Sequence, residues 1–318
     1  MAPRSPDSIS PATLARVLER LGLSGAPRAD LGGLRALYRA WCRSVPFDNM
    51  QKIIALKEAP AGPLPGESAE DFFDLFLTHG TGATCWPSAR AMHALLDALR
   101  FSARRAAGSM LDGGDLNHGT NRVTLDAREW LVDTSILSDD PLPLDADVFN
   151  NFNPVQPIEV EYTGPHQPGP GGGGPAQPGG HVIWWYTPAF EPSMPCRLLA
   201  DHVGEPLFRE RYEASRSVGP FNHRLYARRN FDGEMLVIVG SDLFSRTAGR
   251  VDRATLSREQ LLSTLRDRFG YSPAVISRWA SCGGLDACFE PSAAPPGPPP
   301  RQFGLPPSRR GGAPARTA

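Results

Sequence analysis

The chain has 318 residues, 41% of them hydrophobic, and a net charge of −1, which is long enough for a sizeable core and two or three sub-domains. It carries no basic run of the kind nucleic acid or an anionic membrane would need, and no apolar segment as long as a membrane span, so neither is expected as a partner. The opening residues, MAPRSPDSISPAT, lack the apolar stretch of a secretory signal, which predicts a soluble cytoplasmic protein.

In chain order, residues 11–23 carry Leu14, Val17, Leu18 and Leu21 at helical spacing before Gly22. A second helix is expected over 31–42, with Leu31, Leu34, Leu37 and Tyr38. It breaks at SVPFDN, where Pro46 biases Val45 towards extended backbone. AEDFFDLFL at 69–77 predicts a third helix, and residues 87–100 a fourth.

From residue 103 the periodicity changes. NRVTLD at 121–126 and EWLVDTSIL at 129–137 alternate and are rich in β-branched residues, with DARE between them as the turn. IEVEYT at 158–163 and HVIWWYTPAF at 181–190 predict two further strands. Their joint, GPHQPGPGGGGPAQPGG, is too poor in apolar residues to pack and reads as a flexible insertion. EMLVIVG at 234–240 is another strand, and SREQLLSTLRDRFG a final amphipathic helix capped by Ser257 and stopped at Gly270. After residue 292 the text is rich in proline and glycine and reads as disordered rather than as an SH3-type ligand.

Helices, then antiparallel strands, then a mixed end make an α+β architecture, not alternating βαβ units. No GxGxxG follows a strand and there is no Walker-type loop, so nucleotide binding has no foothold. The five cysteines, Cys42, Cys85, Cys196, Cys282 and Cys288, are odd in number and scattered. They suggest no disulfide framework, and without CxxC or CxxH spacing no metal site is expected. Cys282 and Cys288 are close enough in sequence to pair, with nothing else in support.

GTGATCWPSARAMHALLDALRF, residues 80–101, places one cysteine between a glycine-rich turn and a helix. Met92, Leu95, Leu96 and Leu99 form the buried stripe, and Pro87 suits the first turn, where its missing N–H costs nothing. Cys85 therefore lies outside the stripe and just ahead of the helix. Free amides and the helix dipole favour a thiolate at such a place. A packed residue, a metal ligand and a nucleophile are all open at this point.

His118 precedes the predicted hairpin, and Asp133 ends its second strand. With a loop centred on Asp126 and Ala127, residue 133 pairs with 120, one diagonal step from 118. His118 and Asp133 then share a face. An aspartate so placed holds an imidazole in one tautomer while the other ring nitrogen faces a thiol. Taken alone, His118 reads as a loop histidine and Asp133 as a strand-end cap. Together with Cys85 they read as base, orienting acid and nucleophile.

These residues resemble the arylamine N-acetyltransferases. The core motif of that family, Arg-Gly-Gly-x-Cys, is similar to TGATC at 81–85, and its His-to-Asp segment to His118 followed by WLVD at 130–133. VPFDNM at 45–50 looks like the family's (Ile/Val)-Pro-Phe-Glu-Asn-Leu, and SVGPFNHRLYARRN at 217–230 resembles the Ser-x-x-x-(Ser/Pro)-Phe segment that enters its third domain. FDGEMLVIVGSDLFSR and LLSTLRDRFGYSP fit its later strands and last helix. The likeness runs over residues 11–275, and the joint pattern is more specific than any one piece.

The resemblance implies a helical bundle over 1–102 that carries the nucleophile and a β-barrel-like domain over 103–205 with its flexible insertion at 164–180. An α/β lid over 206–292 and a disordered tail over 293–318 complete it, around a catalytic core like that of transglutaminases and cysteine proteases. It further implies a triad of Cys85, His118 and Asp133, with no bound cofactor. Acetyl-CoA or another acyl thioester would acylate Cys85, and a small-molecule amine would take the acyl group in a ping-pong cycle. Phe47, Trp86, Ser135, Ile136 and Phe221 would line the substrate site, and the Cys85 amide is a candidate oxyanion donor.

The chain also departs from the pattern. Thr81 stands for the motif arginine, Ala83 for its second glycine, Trp86-Pro87 for an aromatic-Glu pair and Asp48 for a glutamate that supports the arginine. Thr81 and Asp48 thus read as one joint change. Thr134, Ser135, Ile136 and Leu137 replace a Val-Gly-Phe-Gly loop that shapes the acceptor pocket, which implies an altered acceptor. Trp184, Trp185 and Tyr186 read as strand packing rather than a substrate platform. Arg228 and Arg229 read as a solvated pair, with CoA phosphates or a carrier protein's acidic surface as the alternative. His79, His93, His181 and His202 show no ligand-like spacing. Four activities fit the sequence: an acyl-CoA-dependent N-acyltransferase, an amide synthase fed by an acyl carrier protein, a binding module that keeps the fold, and a cysteine hydrolase.

Overall fold

The computed structural model describes residues 6–145, 148–151, 153–164, 180–187 and 190–291. Most of the glycine-rich joint and all of the proline-rich tail, read above as flexible and disordered, lie outside the described residues. The chain opens with helices α1 (Pro11–Arg20) and α2 (Leu31–Ser44). Ser10 caps α1 by accepting from the Thr13 amide, and Asp30 caps α2 by accepting from Gly33, each satisfying a first-turn donor. Val45 is extended (φ −100°, ψ 113°), as a residue before proline should be.

Strand β1 (Phe47–Asp48), α3 (Met50–Glu58), α4 (Ala69–His79) and α5 (Cys85–Ala98) follow. Helix α3 is not among the expected elements, although Met50, Ile53 and Ile54 form a buried stripe at helical spacing. Gly80, with φ 73°, closes α4 in the left-handed conformation. Helix α5 begins two residues earlier than expected. Cys85 is its first residue, with Thr84 as N-cap, rather than a residue outside it.

The second layer is an eight-stranded antiparallel sheet curled into a nearly closed barrel. It comprises β2 (Ser102–Met110), β3 (His118–Leu125), β4 (Arg128–Val132), β5 (Leu142–Pro143), β6 (Val148–Asn151), β7 (Ile158–Tyr162), β8 (His181–Thr187) and β9 (Phe190–Ala200). Their order is β5-β4-β3-β2-β9-β8-β7-β6. Asp126 and Ala127, at φ 49° and 61°, make the two-residue turn of β3 and β4, and Asn121 pairs with Val132. That is the register the sequence predicts.

Strand β2 is not predicted, because SARRAAGSM is poor in β-branched residues; it is a strand because β3 and β9 flank it. The expected strand 129–137 ends at Val132, and Asp133 begins a turn in which Leu137 donates to its carbonyl at 3.1 Å. The expected strand 181–190 divides between β8 and β9. Trp184 and Trp185 lie in β8, and Trp185 joins the barrel core.

The C-terminal part comprises α6 (Glu205–Ala214), β10 (Tyr226–Phe231), β11 (Glu234–Val239), β12 (Asp242–Thr247), β13 (Arg250–Thr255), α7 (Arg258–Asp267), α8 (Pro273–Ser281) and α9 (Gly284–Ala287). Ser257 and Gln260 form a reciprocal capping box on α7, and Gly270 takes φ 76° beyond its end. Helix α7 is not the last, since α8 and α9 follow. The second sheet has the order β1-β10-β11-β12-β13, so its first strand comes from the N-terminal helical region. Residues of α3, the sheet and α7–α9 share one core cluster, including Ile53, Ile238, Leu261 and Trp279. Among the described residues no helix is long and apolar enough to cross a membrane.

Candidate active site

Three elements meet at one point: the start of α5, the start of β3 and the end of β4. His118 Nε2 lies 2.6 Å from Asp133 Oδ2, and both side chains are buried. Cys85 lies beside the same ring and adds to the pull that keeps its proton on. Cys85 Sγ also sits 3.9 Å from the Asn117 carbonyl. Asp133 Oδ1 accepts from the amides of Ser135 (2.9 Å) and Ile136 (2.8 Å), so each carboxylate oxygen has work and the orientation is set from both sides.

The electrostatics agree with the geometry. Burial opposes a charged His118, but the Asp133 charge, the neighbouring Cys196 and the bonds to Asp133 and Cys85 outweigh it, and its pKa is held well above the usual histidine value. Burial likewise opposes the Asp133 carboxylate, and the His118 charge with the Ile136 and Ser135 amides overcomes it, lowering its pKa. Three other thiols are chemically quiet. Burial pushes Cys196 up to about 12 and raises Cys42 and Cys288. All five cysteines are free. Among the described residues no group of three or more His, Cys, Asp or Glu is arranged to hold a metal.

The turn before Cys85 is set by backbone contact. A Cβ at Gly82 would lie 1.7 Å from the Pro46 carbonyl oxygen, so the glycine kept from the motif is required there. Ala83, at the other glycine position, bridges Phe47 as a single parallel β-pair. Asp48 Oδ2 accepts from the Gly82 amide (2.7 Å) and the Tyr271 hydroxyl (2.9 Å), and its Oδ1 from Met50 (2.9 Å). Burial, resisted by these bonds, raises Asp48 to about 6. Its partners are neutral donors. Thr81, fully buried, receives instead a bond from Gln51 Nε2 at 3.3 Å. Thr81 and Asp48 are thus held by separate partners, a side-chain amide for the one and two backbone amides with a tyrosine hydroxyl for the other.

The turn 133–137 is held just as firmly. Leu137 adopts φ 52°, a left-handed conformation that costs a non-glycine residue about 1–2 kcal/mol, where the resembled pattern has glycine. Arg228 on β10 donates from one guanidinium nitrogen to the Ser135 carbonyl (3.2 Å) and from another to Ile136 (2.7 Å). Asn230 Nδ2 donates to Leu137 (2.7 Å), Gln156 Nε2 to Ile136 (2.5 Å), and the Tyr38 hydroxyl to Asp133 (2.6 Å). The expectation of a solvated Arg228–Arg229 pair is corrected here. Arg228 is fully buried and stacks over Trp185 at 5.3 Å, and Arg229 donates to the Phe269 carbonyl. Nothing in the sequence distinguishes the two, because their burial depends on which face of β10 meets the barrel.

Of the five residues expected to line a substrate site, Phe47 and Phe221 come together. They pack edge-on at 5.4 Å, and Tyr226 closes an aromatic cluster at 5.7 and 5.3 Å. Trp86 is buried on another flank, edge-on to Phe208 at 4.9 Å. A Cβ on Gly119 would meet its ring at 2.7 Å. Ser135 is buried in the turn, and Ile136 packs into the barrel core. Sequence reasoning misses Tyr226 and also Lys52, whose ammonium donates to the Ser215 carbonyl and hydroxyl at 2.9 Å. Burial lowers Lys52 to about 8, against the pull of the nearby Cys85 charge. A lysine inside the unpredicted helix α3 gave no signal of its own.

No family model matches the chain. Among curated proteins, the proansamycin X synthase of Amycolatopsis mediterranei is 30% identical over 121 residues, 36% of this chain and 45% of that protein. An arylamine N-acetyltransferase of Mycolicibacterium smegmatis is 32% identical over 98 residues, 31% of this chain and 34% of that one. The matched segments span less than half of either relative. Among solved structures, the Mycobacterium marinum arylamine N-acetyltransferase in complex with CoA superposes with a TM-score of 0.70 at 19% identity, over 87% of this chain and 100% of that chain.

Proposed function

We propose that this chain, which has the arylamine N-acetyltransferase fold, is an N-acyltransferase that moves an acyl group from a thioester donor through Cys85 to an amine. The observation that carries the reading is the His118–Asp133 contact at 2.6 Å, with Cys85 Sγ 3.9 Å from the carbonyl of the adjoining Asn117. His118 holds the proton of the Cys85 thiol as Sγ attacks the thioester carbonyl. The same proton leaves with the departing thiol, and an S-acyl cysteine remains. The amine then attacks that carbonyl, His118 removes its proton and returns it to the leaving Cys85 sulfur. Thr84 makes no side-chain cap on α5, so first-turn amides, the Cys85 N–H among them, are candidate donors to the oxyanion of each tetrahedral intermediate.

An acyl-CoA donor is supported by the similar enzyme whose structure contains CoA. The amine fits against Phe47, Phe221 and Tyr226, with the turn 133–137 shaping the far side. A nucleophile that must stay a thiol suits a reducing, cytoplasmic setting.

A second reading has its own support. The turn Thr134–Leu137 differs from the resembled acceptor loop, and one similar protein is named a synthase rather than an acetyltransferase. In this version the same residues release a carrier-protein-bound acyl chain onto an amine in natural-product assembly. Intact-mass measurement after incubation with acetyl-CoA, and separately with an acyl carrier protein bearing its thioester, tests both. An acyl adduct that disappears in Cys85→Ala is expected, and the donor that gives it chooses between them. No adduct from either donor sinks the proposal and leaves a binding module; free acid released without amine points to a hydrolase.

A further inference from the structure

Strand β10 lies between the two halves of the site. On one edge it pairs with β1, where Phe47 stands opposite Arg228 and Asp48 opposite Ala227. Through β1 it reaches the nucleophile turn, since the Asp48 amide donates to the Ala83 carbonyl and Asp48 Oδ2 accepts from Gly82. Through its side chains it reaches the acid turn. Arg228 takes the carbonyls of Ser135 and Ile136, and Asn230 takes that of Leu137. The amides that fix Asp133 Oδ1 belong to Ser135 and Ile136. The Ile136 amide and the Ser135 carbonyl form one peptide group, so the C-terminal sheet grips the oxygen of one of the two peptide groups that orient the carboxylate and the oxygens of the two that follow it.

We propose that Arg228 and Asn230 are positioning residues for the His118–Asp133 pair: by clamping three consecutive carbonyls of the turn 133–137, they hold the Ser135 and Ile136 amides on Asp133. Neither touches the reacting atoms. Arg228 is suited to the task because its planar fork reaches two carbonyls at once, and its stacking on Trp185 anchors it to the barrel wall. Asn230 holds the residue that the left-handed φ at Leu137 would otherwise let relax. The sheet that closes the site thereby also tunes its base. This inference rests on the assignment of His118 and Asp133 made above.

The test uses the full chain and no acyl donor, so it stands apart from the fate of the acyl-transfer reading. Alkylation of Cys85 by iodoacetamide is followed against pH, together with the low-field ring N–H proton of His118 by NMR. In Arg228→Met the rate near neutral pH falls about tenfold or more, as small misplacements do, and the low-field resonance broadens or is lost. Arg228→Lys, which reaches one carbonyl at a time, recovers part of both. Arg229→Met, whose partner lies at Phe269, keeps the wild-type profile even where its thermal midpoint drops. If Arg228→Met does not fold, Asn230→Ser and Arg228→Lys carry the measurement, with shifts of about threefold expected on the same ground. Wild-type alkylation profiles and an unchanged His118 resonance in the folded variants would overturn the proposal. So would an equal change in Arg229→Met.

Discussion

Asp133 divides its two oxygens between His118 and the backbone: Oδ2 meets the ring at 2.6 Å, and Oδ1 receives the Ser135 and Ile136 amides. Asp133→Asn keeps the amide bonds but turns an N–H towards Nε2, which forces the ring proton onto the nitrogen facing Cys85. Acyl transfer is expected to fall on the order of 10³–10⁴-fold, the scale set by a wrong tautomer in a comparable triad. Steady-state kcat/KM beside thermal unfolding checks it. A fall below tenfold in a folded variant would remove Asp133 from the mechanism.

The same pair predicts how stability depends on pH. Asp133 is lowered and His118 raised by folding. The carboxylate contributes fully above its ordinary value near 3.9 and is lost as pH falls through its lowered pKa; the imidazolium contributes fully below about 6.5 and is lost as pH rises through its raised pKa. The stability difference between wild type and Asp133→Asn should therefore be largest between about pH 4 and 6.5. Urea unfolding across pH 3–10 measures it, and a flat difference would contradict the coupling.

Asp48 has the opposite sign for a carboxyl. Its folded pKa of about 6 exceeds the unfolded value near 3.9, so between the two the folded state holds the extra proton and stability declines as pH rises. Two units correspond to about 3 kcal/mol. Wild type should lose about that much relative to Asp48→Asn between pH 4 and 6.5, and little more above it. A difference that instead grows with pH would show a cationic partner for Asp48.

Gly82→Ala should destabilise the chain by at least about 2 kcal/mol, because the new Cβ meets fixed backbone at Pro46 rather than a movable side chain. Ala83→Gly, which adds no atom, should cost less than half as much. Denaturant midpoints of the two variants compare them directly; equal losses would mean that the turn relaxes freely.

Phe221 is half-buried against Phe47 and Tyr226. If the cluster holds the amine, Phe221→Ala should raise KM for an aromatic amine about tenfold, the worth of part of an aromatic ring's burial, and change kcat within about twofold. An unchanged KM for the amine would move the acceptor elsewhere.

Much of the site was legible in the sequence because its parts obey local rules. Cys85 stands at a helix start that glycine, cysteine and Pro87 announce together. The Asp126–Ala127 turn sets an odd pairing sum, and a period of two then puts His118 and Asp133 on one face. Ser257, a capping residue, marked the start of α7 in the same way. What local rules could not supply was anything fixed by partners distant in sequence. SARRAAGSM is a strand because β3 and β9 enclose it, and β1 joins a sheet whose other strands begin nearly 180 residues later. Arg228 and Arg229 are identical neighbours in sequence, yet strand alternation sends them to different surroundings. One is sealed in the barrel wall, and the other reaches the end of α7. The sequence alone singled out Cys85, His118 and Asp133, the residues proposed as nucleophile, base and orienting acid, since their placement depends on nearby turns and caps. Only the tertiary structure decided what holds that acid in place, because the grip comes from a sheet that meets the barrel only after the chain has folded.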